Sequence, residues 1–288
     1  MGYQPVFTIT PRLLALTEEI ATLRERVLSA SVRVAWIPQM QKEARVRTAH
    51  SSTAIEGNPL TLDEVRALEE GRELPAQKSR AEREILNYFA GLRFIEKNAG
   101  LKRIHHEHLL KLHAIIAEGV MDQGRAGQYR TIGVRVDRFV PPPANEVSGL
   151  VHELLTWWNT RAGGLSPVIS SAVLHYRFEE IHPFADGNGR TGRAIALWEL
   201  YRRGFDSHHI FSVDEFYGSD RPRYYTALEG VRRAGGDLTT WLEYAAEGLE
   251  KTLDKVWCRI QTIVAQTSGK TIFLQPKQEK LLRLLENQ

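Results

Sequence analysis

One cysteine, Cys258, stands in 288 residues. A lone thiol closes no internal disulfide, so no disulfide framework holds the chain together, and a reducing cytoplasm is the expected setting. No apolar run reaches the roughly eighteen residues that a membrane helix needs, so no membrane partner is expected. The N-terminus lacks the basic-then-apolar layout of a secretory signal. It lacks a myristoylation motif too, because Val6 stands where that motif places Ser or Thr. Excess charge is also missing: 38 Lys and Arg against 35 Asp and Glu leave a formal +3. That is too little to draw a phosphate backbone, and nucleic acid is not an expected partner. There are no internal repeats and no low-complexity tracts.

What remains is ordinary globular composition, with 42% hydrophobic and 25% charged residues. The length allows a sizeable core in one large domain or two modest ones. Helical periodicity dominates. Thr10 and Pro11 start a helix over 11–30, with Leu13, Leu16, Ile20, Leu23 and Val27 on one face. The pattern breaks at Trp36, Ile37 and Pro38 and resumes over 39–56. Gly57 is its left-handed stop and Pro59 lies just beyond. Thr61 and Glu64 form a capping box for another short helix. Further helices are expected over 79–97, 104–118, 147–161, from Ser166 and Pro167 to Glu180, and over 238–253. Residues 128–140 alternate instead, through Ile132, Val134 and Val136. Three prolines then end the segment at 141–143, which reads as a small β-hairpin or extended flap. The expected fold is all-α, a helical bundle with a small β-hairpin flap.

Four histidines, His105, His106, His108 and His113, crowd the 104–118 helix. They do not form His-Glu-x-x-His. Leucines and isoleucines at 109, 112, 115 and 116 make this a buried helix face rather than a metal site.

Residues 182–193 carry the chemistry: His-Pro-Phe-Ala-Asp-Gly-Asn-Gly-Arg-Thr-Gly-Arg. Gly187, Asn188 and Gly189 tolerate left-handed backbone, which lets successive N–H groups converge on an anion. The sequence then turns apolar, so a buried helix begins near Arg190 and points its free N–H groups and positive dipole end at the same place. Arg190 and Arg193, three apart, share a helix face and suit phosphate oxygens. Asp186 is placed to hold Mg²⁺ against phosphates. His182 ionises near neutrality and can serve as a base. The string holds no Gly-Lys-Ser/Thr and follows no strand, so it is neither a Walker A loop nor a Rossmann fingerprint.

The string resembles the signature of the Fic family, His-x-Phe-x-(Asp/Glu)-Gly-Asn-Gly-Arg-x-x-Arg, at every fixed position. The resemblance implies a transfer of AMP from ATP to a Ser, Thr or Tyr hydroxyl of another protein or of the chain itself. His182 would be the base, Asp186 the Mg²⁺ ligand, and Gly187, Asn188, Gly189, Arg190, Thr191, Gly192 and Arg193 the ATP site. Residues 51–58, Ser-Ser-Thr-Ala-Ile-Glu-Gly-Asn, resemble the inhibitory helix of many members, (Ser/Thr)-x-x-x-Glu-(Gly/Asn). Ser52 and Glu56 then belong to an inhibitory element, and Glu56 forms a bidentate pair with Arg193 that competes with the γ-phosphate of ATP. A glutamate so placed can also serve removal of AMP. In the family a flap docks the target peptide by strand addition, and Thr131, Ile132 and Gly133 are the candidates for that contact. Tyr225, with Tyr224 as competitor, is the candidate for stacking adenine.

The implied layout is an N-terminal helical region over 1–100, a catalytic domain over 101–250 and a C-terminal helical segment over 251–288. Residues 270–288 resemble the first helix of a winged helix-turn-helix, so the chain reads as a piece of a longer one. Two copies pairing through a surface patch is a further expectation. The alternative is a nucleotide-sensing regulator whose longer form binds DNA.

Overall fold

The computed structural model describes residues 2–30, 36–74, 79–205 and 209–268. Eleven α-helices appear among them: α1 (Pro11–Ser29), α2 (Ile37–Ile55), α3 (Leu62–Glu69), α4 (Ser79–Lys97), α5 (His106–Ala117), α6 (Val147–Thr160), α7 (Pro167–Ile181), α8 (Asn188–Arg202), α9 (Asp214–Ser219), α10 (Arg221–Arg233) and α11 (Thr239–Ser268). No strand forms among the described residues, and the fold is all-α.

Local chemistry sets the helix ends. Thr10 accepts a hydrogen bond from the Leu13 N–H at the head of α1, and Thr61 and Glu64 close a reciprocal capping box on α3. Ile37 and Pro38, which interrupt the first pattern, are the opening turn of α2, where a proline loses no helical hydrogen bond. Gly57 takes φ +96°, a conformation that a side chain resists, and stops α2. The last helix outruns its expected span: α11 extends for 30 residues to Ser268. Residues 270–288, the winged-helix resemblance, lie outside the described residues.

Helices α7 and α8 pack against each other at the centre. Both are buried on nearly every side, the pattern of a helix surrounded by others. Trp158, Trp198 and Trp241 are fully buried around them. Each indole N–H finds an acceptor: Glu199 Oε2 at 2.6 Å, the Asn98 carbonyl at 3.2 Å and the Ala172 carbonyl at 2.8 Å. Truncating such a residue costs about 3–5 kcal/mol, so the pair that carries the site rests on a rigid floor. Helix α1 lies along α11, while α2 packs on α3, α4 and α9 and touches α8.

The flap is thinner than its alternation suggests. Val136 and Phe139 exchange both backbone hydrogen bonds at 2.9 Å, and Asp137 at φ +50° makes the turn between them. That single antiparallel bridge is all the pairing the segment has. Arg130 anchors the segment instead, its guanidinium taking the carbonyls of Ile132 and Pro142.

Candidate active site

Helix α7 ends at Ile181, and His182 follows in the left-handed conformation, φ 50° and ψ 60°, with its N–H donated to the Phe178 carbonyl. A non-glycine residue held there is strained, and such strain clusters at functional positions. The chain turns through Asp186 to Gly187, the N-cap of α8 at φ +76°. Asn188 staples this loop: its Oδ1 accepts from the Phe184 N–H at 2.9 Å and its Nδ2 donates to the Phe184 carbonyl at 2.8 Å. Thr191 Oγ1 donates to the Gly187 carbonyl at 2.8 Å. The side chains of Asn188 and Thr191 thus shape the loop and leave the backbone N–H groups at the start of α8 to meet an anion.

His113 holds the loop from behind. Its ring stacks on Phe184 with centroids 3.6 Å apart. Nδ1 accepts the Gly127 N–H, so Nε2 carries the proton and donates to the Asp186 carbonyl, both at 2.9 Å. Burial pushes its pKa down to about 4. Among the four clustered histidines, His113 is therefore a strut between the base of the flap and the glycine loop.

Glu56, just past the end of α2, reaches the start of α8. Its Oε1 accepts from Arg193 Nη2 at 2.7 Å, and a Cβ on Gly189 would collide with that same oxygen. The carboxylate thus sits where the helix N-terminus and the glycine loop favour an anion. Arg193 is buried, and its other donors go to Ser52: Nε to Oγ and Nη2 to the carbonyl, both at 2.8 Å. The expected bidentate fork is replaced by one carboxylate bond, and Ser52 takes Nε and shares Nη2. Burial works against the charge of Arg193. Glu56 more than offsets it, with help from Tyr224, Asp214 and Tyr88, and the pKa lies well above the ordinary value.

Arg190 faces elsewhere. It lies 3.7 Å from Glu84 and 3.9 Å from Asp186, and its buried Nε and Nη1 have no hydrogen-bond partner. Asp186 is part-exposed and accepts from the Gly187 N–H through Oδ1. No group of three or more His, Cys, Asp or Glu side chains suited to a metal occurs among the described residues. A single carboxylate fits Mg²⁺, which keeps waters and takes the rest of its shell from substrate phosphates. The unpartnered Arg190 donors nearby fit those phosphates.

His182 opens onto a cavity of about 710 Å³, lined also by Glu56, Arg193, Tyr225, Phe139 and Arg232. Burial is the main cause that lowers the pKa of His182, to about 4, with Arg130 and Arg232 adding to it. The Glu179 main-chain carbonyl and the Glu56 charge work the other way. The ring is neutral at pH 7 and ready to accept a proton. Tyr225 is 38% exposed, with the Arg221 guanidinium 5.5 Å from its ring centre. Tyr224 is buried and its hydroxyl meets His175 Nε2 at 3.0 Å. It therefore also does core work.

From the flap, Val136, Asp137, Arg138 and Phe139 line the cavity. Thr131, Ile132 and Gly133 are exposed and are not among its lining residues. Arg232 lies over the Phe139 ring at 3.6 Å and joins the flap turn to α10. The sequence reading missed Arg130. It is buried, and donates to the carbonyls of His182 at 2.8 Å, Ile132 at 3.1 Å, Pro142 at 2.6 Å and Ile181 at 3.3 Å. No residue pattern announces a cluster of carbonyls. Glu179 was missed as well, although its place three residues before His182 puts it on the same helix face.

The sequence model of the Fic/DOC family matches residues 103–200, which span α5 to α8 and hold the loop. The chain is 31% identical over 224 residues to the protein adenylyltransferase fic-1 of Caenorhabditis elegans, covering 75% of this chain and 42% of that protein. It is 30% identical over 241 residues to the protein adenylyltransferase Fic of Aedes aegypti, covering 82% and 46%. The chain thus spans less than half the length of these curated relatives. A solved Fic family protein from Desulfovibrio desulfuricans superposes with a TM-score of 0.77 at 30% identity, over 89% of this chain and 77% of that one. The C. elegans Fic-1 structure shares the fold, with a TM-score of 0.75 at 24% identity over 87% and 73%. With the signature loop, the helices that carry it and most of a solved member in common, the chain belongs to the Fic/DOC family.

Proposed function

We propose that this chain is a protein adenylyltransferase that moves AMP from ATP to a Ser, Thr or Tyr hydroxyl of a target protein or of itself, and that Glu56 holds the reaction down. The observation that carries the reading is the single loop between α7 and α8. It joins a neutral, cavity-facing His182 to a helix N-terminus whose anion position is filled by the carboxylate of Glu56. The names of the relatives, protein adenylyltransferases, support the same reaction.

His182 takes the proton of the incoming hydroxyl, as a general base worth about 10²–10⁴-fold. The backbone N–H groups at 187–189, together with Arg190 and Arg193, hold the phosphates, so most of the catalysis is positioning and charge neutralisation. Gly192 keeps α8 close to α7 beneath them. Asp186 holds Mg²⁺, which when bound neutralises charge on the triphosphate. Tyr225 stacks the adenine, and the flap aligns the target chain beside His182. Glu56 and Ser52 withhold Arg193 from the γ-phosphate. Glu56 also serves the reverse removal of AMP, and two copies pair in the working form. The cytoplasm, where a lone cysteine stays reduced, is the proposed site of action. No described helix is long and apolar enough to cross a membrane. The nucleotide-sensing, DNA-binding alternative, which rests on the inhibitory motif and on residues 270–288, is not favoured by the names of the relatives.

The test is mass spectrometry of the protein after incubation with ATP and Mg²⁺, for wild type, Glu56→Gly and His182→Ala. AMP adducts in Glu56→Gly that vanish in His182→Ala are expected. An adduct of any other mass would redirect the donor assignment.

A further inference from the structure

A third carboxylate belongs to the site. Glu179 is buried in the last turn of α7. Its Oε2 stands 3.7 Å from His182 Nδ1, and both its Oε1 and His182 Nδ1 are buried without a hydrogen-bond partner. Helix α8 confines this carboxyl from the far side, since a Cβ on Gly192 would come within 2.5 Å of Oε1. The carboxyl keeps one buried oxygen, Oε1, without a partner and turns the other, Oε2, toward an unpartnered Nδ1, an arrangement that is costly unless it serves a state in which acid and ring pair. A rotation of either side chain by less than 1 Å at its tip (on the order of the gap between 3.7 Å and a normal hydrogen bond) closes the contact.

We propose that Glu179 is the positioning residue of His182. Its carboxylate takes the Nδ1–H, leaves Nε2 as the base and balances the imidazolium formed in the reaction. The inference rests on the transfer reaction proposed above. In that step the hydroxyl oxygen bonds to the α-phosphorus. The bond from that phosphorus to the pyrophosphate oxygen breaks, and the leaving group takes the electron pair. The hydroxyl proton passes to Nε2. The new cation is surrounded by burial and by Arg130 and Arg232, all of which oppose it. The carboxylates beside it are Glu56, which must give up Arg193 for the phosphates, and Glu179, which is fixed on α7. Glu179 has the work that an orienting acid does for histidine in hydrolase triads.

The inhibitory contact adds to the burial that raises the pKa of Glu179. Burial lifts its pKa to about 7; Arg193 and Arg232 pull it down, and Glu56 pushes it up. Withdrawing Glu56 therefore favours the ionised form that His182 needs. One displacement frees Arg193 and lowers the pKa of the partner of the base.

The test uses the full chain in the Glu56→Gly background, with and without Glu179→Gln. Labelling by ATP is followed against pH, and the ring ¹⁵N shifts of His182 are titrated by NMR. With Glu179 present, an acidic limb is expected below pH 7. Glu179→Gln should abolish that limb and lower the plateau rate by about tenfold, with the KM for ATP unchanged. It should also move the His182 titration to lower pH. If Glu179→Gln does not fold, Glu179→Asp, which draws the charge back from Nδ1, should move the titration the same way by less. An unchanged His182 titration and an unchanged pH profile overturn the inference. A shifted titration in a protein that labels nothing upholds the pairing and overturns the transfer reaction instead.

Discussion

Glu56 Oε1 and Arg193 Nη2 meet at 2.7 Å across 137 residues of sequence, and the guanidinium is buried while the acid is a third exposed. The asymmetry matters. Arg193 stays in place when the contact breaks, because Ser52 holds its Nε and Nη2. Glu56, a part-exposed residue just past the end of α2, is the partner able to leave. Glu56→Gly should therefore raise incorporation of labelled AMP by at least tenfold, the effect of about 1.4 kcal/mol of bias. Equal labelling by variant and wild type in an autoradiograph would sink the inhibitory role.

His182→Ala should abolish labelling in the Glu56→Gly background without loss of fold. Its backbone N–H bonds to Phe178 whatever the side chain, and removing a buried ring with no hydrogen-bonded Nδ1 leaves no new unpaired donor. Circular dichroism and a melting curve close to those of the parent are the check. Residual labelling within tenfold of the parent would contradict a general base.

Asp186→Asn should separate metal from nucleotide. The side chain can still accept the Gly187 N–H, so the loop survives. Labelling should fall by about a hundredfold or more, and the Mg²⁺ concentration for half-maximal activity should rise. Binding of ATP in EDTA should be unchanged. A variant with normal Mg²⁺ dependence would remove Asp186 from the metal site.

Arg130 should be irreplaceable by lysine. Four carbonyls depend on one fork, and an ammonium cannot reach them in that geometry. Arg130→Lys is expected to lose about 2–3 kcal/mol of stability in urea titration, since a buried acceptor left unpaired costs about 1–3 kcal/mol. Labelling should fall as well, because the flap and the His182 carbonyl share this anchor. A denaturation midpoint equal to wild type would show the bonds to be dispensable.

Stability should rise with pH between about 4 and 6.5. Burial depresses His113 and His182 to about 4 and His175 to about 3, below the value of about 6.5 in an unfolded chain. In that window the unfolded state binds more protons, so acid favours it. Each histidine contributes a slope of up to about 1.4 kcal/mol per pH unit, fully gained above pH 6.5 and lost as pH falls toward 4. Glu179, lifted by burial to about 7, works the other way and offsets about one histidine's share in this window. Melting temperatures at pH 7 and pH 5 measure the net rise, and lower stability at pH 7 than at pH 5 would contradict it.

Much of this was legible in the chain itself. The capped starts at Thr10 and Thr61 depend on neighbours three residues away, and the structure has both. So do the glycine stop of α2 and the span of α4, since hydrophobic spacing and capping are short-range effects. The alternation over 128–140 marks a hairpin or extended flap, and the structure gives a flap with one antiparallel bridge, because alternation speaks to side chains and says nothing about how many backbone pairs will form. The fork expected between Glu56 and Arg193 is a single bond, and Ser52, which shares the guanidinium, meets it only once α2 is docked on α8.

The residues from His182 to Arg193 determined by themselves that a base, an anion cradle and a carboxylate share one turn, since twelve contiguous residues have no freedom to separate. Sequence also placed the family, because that spacing is its signature. Only the tertiary structure decided the state of each group. It put Glu56 on the anion position, spent Asn188 on the loop, turned Arg190 away from Arg193, and left Glu179 and His182 facing each other unpaired inside the protein. These are matters of burial and of competition for hydrogen bonds between segments far apart in the chain. Neither can be counted until the helices have packed.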